Sequence, residues 1–289
     1  MEGTVGLVDI GSNTVKLVIY KINNGKINKI YTKSIYLRLF NYLQHIYFNK
    51  CIISKDGILK TKNILKDFKE ELDKYNPKEV IAFATYAVRI AGNKSEFLEE
   101  TKDIFDIKIL SDEEEAMYSA YGALLDTDIS EGLVFDIGGG SLEICGVSGG
   151  KIKHYNSYPL GTLNYGEFFK NGVLVDEEGM RKKIKKHINP ASTSDKIVGV
   201  GGSVRALVKI IGKRRVSKNQ LNEILSKIKH LKPDDISNKY DISSKRSETV
   251  VSAGIVISEI MDLFECKELI ISEYGIREGI IYNHLNMGI

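Results

Sequence analysis

Leu133-Val134-Phe135-Asp136-Ile137-Gly138-Gly139-Gly140-Ser141-Leu142-Glu143-Ile144-Cys145-Gly146-Val147 is the stretch on which the fold of this chain turns. Leu133 to Asp136 reads as one strand and Leu142 to Val147 as a second, with a Gly-Gly-Gly-Ser turn between them. Three successive glycines give up stability, which a close approach by a ligand or an extreme turn would justify. Gly149-Gly150 then makes a hairpin into a third strand, Lys151 to Tyr158.

The same order of signals stands at the start of the chain. Val5 to Asp9 is a strand, Gly11-Ser12-Asn13 a turn, Val15 to Ile22 a second strand, Asn23-Asn24-Gly25 a hairpin, and Lys26 to Ser34 a third strand. Recurrence of one unit at Asp9 and Asp136 predicts two similar α/β domains sharing a pseudo-symmetric cleft. A length of 289 residues fits two such cores. Helical spacing is read at Ile58 to Tyr75, Glu96 to Phe105, Ser111 to Leu125, Val175 to Ile188, Val204 to Ile211, Leu221 to Leu231, Ser247 to Phe264 and from Ile276. Strands are expected at Val80 to Ala84, Ile107 to Leu110, Lys196 to Val200 and Glu268 to Ser272, while residues 35 to 57 follow no clean pattern.

Composition excludes several classes. Hydrophobic residues at 43% and charged residues at 27% are ordinary for a globular protein, and no apolar run approaches a membrane span of roughly 18 residues. The opening MEGTVGLVDIGS lacks a secretory pattern, so a cytoplasmic chain is expected. Three widely spaced cysteines, Cys51, Cys145 and Cys266, read as buried thiols without a metal pattern. A formal net charge of +3 does not mark a nucleic-acid binder. The basic runs Arg181 to Lys186 and Lys213 to Arg215 read first as solvated helix faces, with a positive rim for a polyanion as the alternative.

Three turns can hold phosphate. Gly11, Ser12 and Asn13 follow the acidic strand end at Asp9. Gly138, Gly139, Gly140 and Ser141 follow Asp136. Gly201, Gly202 and Ser203 stand at a strand end and lead into a helix. Backbone N–H groups in such turns can face an anion, and each turn lies at the carboxyl end of a strand, where open α/β sheets bind ligands. Ser111 with Glu114 is a capping box, and in the helix start Ser111-Asp112-Glu113-Glu114-Glu115 either Glu115 or Glu114 can present a carboxylate to an attacking water. Arg89, after the strand ending at Ala84, is of the type that grips phosphate by a planar fork.

Taken together, Asp9 to Thr14, Ala84-Thr85 with Arg89, Ser111 with Glu114-Glu115-Ala116, Asp136 to Ser141 with Glu143, Pro159-Leu160-Gly161, Gly199 to Ser203, and Ser272 with Gly275, Arg277, Glu278 and Gly279 resemble the exopolyphosphatase and guanosine pentaphosphate phosphohydrolase family. The match runs nearly end to end. The resemblance implies two actin-like (ribonuclease H-like) domains with mixed sheets flanked by helices and an active-site cleft between them. It places one domain at 1–122 with a C-terminal helix at 277–289 and the other at 123–276. It implies magnesium-dependent release of terminal phosphate from polyphosphate or guanosine pentaphosphate, a link to the stringent response, and no membrane or nucleic-acid partner. A homodimer is open under it.

By the same resemblance Glu115 takes the place of the base, Asp136 that of the metal-associated carboxylate, Arg89 and Ser141 those of phosphate contacts, and Gly11, Ser12 and Asn13 that of the first phosphate loop. From their chemistry Asp9 and Glu115 are also expected to associate with the metal, Glu114 to stand with Glu115 and Arg89 in the catalytic set, and the Gly138–Ser141 and Gly201–Ser203 turns to contact phosphate. Two segments depart from the family pattern. Arg38-Leu39-Phe40-Asn41-Tyr42-Leu43 stands where a glycine-bearing Arg-Leu-Gly is usual, and Ser272-Glu273-Tyr274-Gly275 where Ser-Asp-Gly-Gly is usual. The competing readings are a non-hydrolysing sensor of guanosine tetraphosphate or pentaphosphate and an ATP-dependent kinase of the same superfold.

Overall fold

The computed structural model describes residues 3–23, 26–45, 51–190 and 192–284. The expected turn at Asn24-Gly25 and the last residues of the C-terminal helix, 285–289, lie outside them. The chain divides into two compact units. One runs through Glu115 and is rejoined at Asn283; the other runs from Ala116 to Tyr282.

In the first unit, β1 (Gly3–Ile10), β2 (Val15–Asn23) and β3 (Lys26–Ile35) form an antiparallel meander. Successive residues Leu7 and Val8, which point to opposite faces, are both fully buried, so both faces of the sheet are covered. Of the stretch 35 to 57, the described residues between the end of β3 and Ser54 hold a 3-10 turn, Leu39–Tyr42, and a short ribbon of β4 (Leu43–His45) with β5 (Cys51–Ile53). Three-residue strands are too short for alternation to show in the sequence. Helix α1 (Lys55–Asp73) starts at Ser54, whose Oγ accepts from Gly57 N, and buries Ile58, Leu65, Phe68 and Leu72 at helical spacing. β6 (Glu79–Ala84) runs parallel to β1, leads through the short α2 (Tyr86–Arg89) and α3 (Lys94–Thr101), and is joined by the parallel β7 (Ile107–Ile109). The sheet order is β3-β2-β1-β6-β7.

Helix α4 (Asp112–Asp126) contains the division after Glu115. In the second unit, β8 (Glu131–Ile137), β9 (Leu142–Ser148) and β10 (Lys151–Tyr158) repeat the meander. A small ribbon of β11 (Phe169–Lys170) and β12 (Val173–Leu174) precedes α5 (Glu177–His187). Then come β13 (Lys196–Val200), α6 (Gly202–Ile211), β14 (Arg215–Ser217), α7 (Lys218–Ile228), α8 (Pro233–Tyr240), α9 (Ser244–Leu263), β15 (Glu268–Ile271) and α10 (Ile276–His284). The order β10-β9-β8-β13-β15 repeats that of the first sheet, with two antiparallel pairings followed by two parallel ones. β14 is added antiparallel at the edge. Two mixed sheets flanked by helices in one strand order are what two actin-like domains require.

Helix α9 is the centre of the second core. It packs against α5, α6, α7 and α8, and its run from Thr249 to Met261 is buried without interruption. A helix covered on every side carries apolar residues all round rather than in a stripe. None of the helices is long and apolar enough to cross a membrane, among the described residues.

Candidate active site

The first phosphate-type turn is pinned from behind by backbone. Asn13 O accepts from Arg38 N at 2.9 Å and Ser12 O from Phe40 N at 2.9 Å, while Gly11 N donates to Thr14 O at 3.1 Å. All described peptide bonds are trans. In a trans peptide the N–H points opposite the C=O, so the amides of Asn13 and Thr14 face away from residues 38–40. Ser12 and Asn13 are buried, and Asn13 Oδ1 has no hydrogen-bond partner. The departure at 38–43 thus keeps its main-chain contacts to the turn. Arg38 takes up the left-handed conformation at φ 54°, with its guanidinium stacked on Tyr36 at 4.7 Å and Nε donating to the Tyr36 hydroxyl.

Strands β1, β6 and β7 end side by side, because Thr85 N donates to Ile10 O and Leu110 N to Ala84 O. That places the Asp9 turn, Arg89 and the start of α4 at one end of the sheet. Arg89 is clamped there. Its Nη1 donates to Glu115 Oε2 at 2.6 Å and to Leu110 O at 3.1 Å, and Nη2 pairs with Asp112 Oδ1 at 2.6 Å. The Arg89 and Glu115 side chains are only 12% and 10% exposed, so this pair is poorly screened. Tyr86, one turn back, lies under the guanidinium at 5.7 Å.

Glu114 and Ser111 form the capping box in both directions: Ser111 N donates to Glu114 Oε2 and Glu114 N to Ser111 Oγ. Lys108 Nζ donates to the other oxygen of Glu114. Burial would raise the Glu114 carboxyl, but Lys108 and Ser111 outweigh it and hold the group below the usual carboxylate range. Glu114 therefore fixes the start of the helix from which Glu115 projects.

The second turn repeats the device with one more peptide. Gly138 O accepts from Thr162 N at 3.0 Å, Gly139 O from Leu163 N at 2.9 Å, and Gly140 O from Asn164 Nδ2 at 2.9 Å. Three consecutive carbonyls turned to residues 162–164 leave the amides of Gly139, Gly140 and Ser141 directed the opposite way, which is the geometry of an anion nest. Gly161 is what allows the approach: a Cβ there would lie 2.4 Å from Gly139 and Gly140 backbone atoms. The Gly201 turn joins this site because β13 runs parallel to β8 with Val200 opposite Asp136. Gly201 has φ 125°, closed to other residues, and a Cβ there would lie 3.4 Å from Asp136 Oδ1. Above Gly202 sits the guanidinium of Arg246, within 2.3 Å of where a Cβ would stand.

Asp136 is set by its neighbours. Ser119 Oγ on α4 donates to Asp136 Oδ2 at 2.5 Å, and Glu143 stands directly opposite Asp136 in the antiparallel register. Glu143 is 2% exposed and accepts from Ser157 Oγ. Burial, with the charges of Glu143 and Asp136, pushes the Cys145 thiol up to about 12, so that cysteine is inert. Burial and the nearby Arg277 charge pull the Arg205 guanidinium below its ordinary value, against Asp136 and Glu278. Ser119, Glu143 as a partner of Asp136, Thr162, Asn164, Arg205 and Arg246 are absent from the sequence-derived site. Only Glu143 carried a local signal, two residues after Ser141 in a buried strand.

The basic runs serve structure. Arg181 pairs with Glu177 and Glu259, Lys183 with Glu167, Arg214 with Asp126, and Arg215 with Asp128 and Glu268. Asp126 also accepts from Ser272 Oγ and Glu273 N, which anchors the second departing segment.

The model of the Ppx/GppA phosphatase family matches residues 18–287. A bifunctional 3-dehydroquinate synthase/phosphatase of Fusobacterium nucleatum is 29% identical over 297 residues, covering 92% of this chain and 44% of that protein, so the chain spans less than half of that relative. Among solved structures, the Aquifex aeolicus member of the Ppx/GppA family superposes with a TM-score of 0.80 at 24% identity, covering 98% of both chains. An exopolyphosphatase from Cytophaga hutchinsonii superposes with a TM-score of 0.86 at 20% identity over 99% of both. At those identities the two structures establish the fold.

Proposed function

The chain belongs to the Ppx/GppA phosphatase family, and from that premise we propose that it is a phosphoanhydride hydrolase releasing terminal phosphate from inorganic polyphosphate or guanosine pentaphosphate. We keep its domain bounds at 1–122 with 277–289 and at 123–276. The observation that carries hydrolysis, as distinct from phosphate binding, is the buried Arg89–Glu115 pair at 2.6 Å. A phosphoryl group in transfer needs its spread charge neutralised and a water held in line. Arg89 offers positive charge toward phosphate oxygens, and Glu115 a carboxylate that orients a water and takes its proton. The amides of Gly139, Gly140 and Ser141 and those of Asn13 and Thr14 receive phosphate oxygens.

Magnesium fits the residues present. It prefers oxygen donors, is held by one or two carboxylates plus substrate phosphate, and keeps its waters. Asp136 with Glu143 opposite it in the register is such an oxygen set, and in the first turn the unpartnered acceptor Asn13 Oδ1 is an oxygen of the same kind. An acceptor can be satisfied by a water on a cation but not by a bare phosphate oxygen. When bound, the ion would neutralise charge on the phosphates.

A non-hydrolysing sensor would use the same phosphate-facing amides and would not need the Glu115 carboxylate. Phosphate release from polyphosphate and from guanosine pentaphosphate, measured with magnesium for the wild type and Glu115→Gln, separates the two readings. Hydrolysis predicts that the variant falls about 10²–10⁴-fold with phosphate affinity retained. Wild-type release no greater than that of the variant would leave the sensor.

A further inference from the structure

The three carbonyls of the second turn are not held alike. Those of Gly138 and Gly139 are each held by a main-chain amide, with Thr162 Oγ1 adding a longer bond to Gly138 O, whereas the donor to Gly140 O is a side chain alone, Asn164 Nδ2. The same Nδ2 donates to Pro159 O at 2.7 Å, so both amide protons are spent on carbonyls. The reverse orientation would set Oδ1 against two carbonyl oxygens, so the side chain has one usable orientation. In that orientation Oδ1 is buried and has no hydrogen-bond partner. A buried acceptor without a donor is a cost that the fold does not recover at this side chain. Asn164 is itself fixed, because its carbonyl accepts from Lys183 Nζ at 2.6 Å and its amide donates to Gly161 O at 3.0 Å.

We propose that Asn164 is a positioning residue that sets the direction of the Ser141 amide toward a bound phosphate. The inference rests on the phosphate-binding reading of this turn. The peptide joining Gly140 to Ser141 has a glycine on its amino side, so ψ there is weakly restricted. Without Asn164 Nδ2 its carbonyl loses the hydrogen bond that sets its direction. A turned peptide presents the Gly140 carbonyl, an acceptor, where the anion needs a donor. Asn164 touches neither phosphate nor water in this account; it acts through the Gly140 peptide.

Steady-state kinetics with tripolyphosphate and magnesium, calorimetric binding of inorganic phosphate, and the amide NMR spectrum during phosphate titration test this in wild type, Asn164→Ala and Asn164→Asp. Addition of phosphate to the wild type should move the Ser141 amide resonance. Asn164→Ala should raise KM and the phosphate dissociation constant about tenfold, the scale of one backbone hydrogen bond, with kcat changed less. Asn164→Asp should be worse than Ala, since its carboxylate faces two carbonyls. An unchanged KM with only a lower melting temperature, or an aspartate variant that binds phosphate as the wild type does, overturns the proposal. If neither variant folds, the wild-type titration decides: phosphate shifts elsewhere with Ser141 unmoved overturn it. Absence of turnover in the wild type with an intact phosphate response would strike the hydrolase reading and leave the role of Asn164 standing.

Discussion

The two phosphate-type turns perform one task with different tolerances. Behind Gly11–Asn13 stand the main-chain amides of Arg38 and Phe40, with Arg38 itself in the left-handed conformation. Behind Gly138–Ser141 stand Thr162, Leu163 and the Asn164 side chain, seated through a glycine that touches backbone. The first turn is tied by main-chain amides of residues 38 and 40, which every residue but proline carries, although the left-handed position 38 favours glycine. The second is tied by close packing that a single methyl group would disrupt. Departure from the family pattern at 38–43 is therefore cheap, and the same departure at 159–161 would not be.

Gly161→Ala should break the comparison hardest. Its Cβ would meet Gly139 and Gly140 backbone at 2.4 Å, so the turn must move, and phosphate release should fall at least about a hundredfold, the scale of a misplaced binding group. Gly11→Ala, whose nearest contact beyond its chain neighbours is Thr14 O at 3.2 Å, should retain most activity in the same assay. Equal losses in the two variants would refute the difference in tolerance.

Arg38→Gly asks the complementary question at the first turn. Glycine keeps the amide that holds Asn13 O and removes left-handed strain of about 1 kcal/mol, while the Tyr36 stack and hydrogen bond are lost. Urea unfolding should shift by no more than about 1 kcal/mol, and phosphate affinity should hold within about threefold. A large loss of affinity would show that the Arg38 side chain itself meets the ligand.

The smallest effect concerns the anchoring of Glu115. The Glu114 carboxyl is held below its unfolded range, so the stability it contributes is present above about pH 4.3 and is lost as pH falls through its depressed folded value. Glu114→Gln keeps the capping box but not the charge toward Lys108. It should cost a few tenths of a kcal/mol at neutral pH, measured by urea unfolding, and nothing once both forms are neutral in acid. A difference that persists unchanged in acid would place the contribution elsewhere.

Much of the architecture was open to reading in the chain. The repeat of strand, Asp-Ile-Gly turn, strand and glycine hairpin announced two like sheets because β-alternation, glycine and turn residues act locally, over fewer than about ten residues. Ser111 with Glu114 marked the start of α4 for the same reason. Short pieces such as β4, β5, β14 and the four-residue α2 escaped because no period can be read from so few positions.

What the tertiary structure alone decided is how the named residues are held. The sequence nominated Arg89 and Glu115 separately, and only folding joined them across 26 positions into one buried ion pair. Ser119 on Asp136 and Asn164 on Gly140 lie 17 and 24 positions from their partners. Contacts at such separations depend on where parallel strands end and helices cross, which leaves no periodic mark in the chain. The sequence determined that amides would be offered to an anion; the packing of residues 38–40 and 162–164 behind the turns determined which way those amides face.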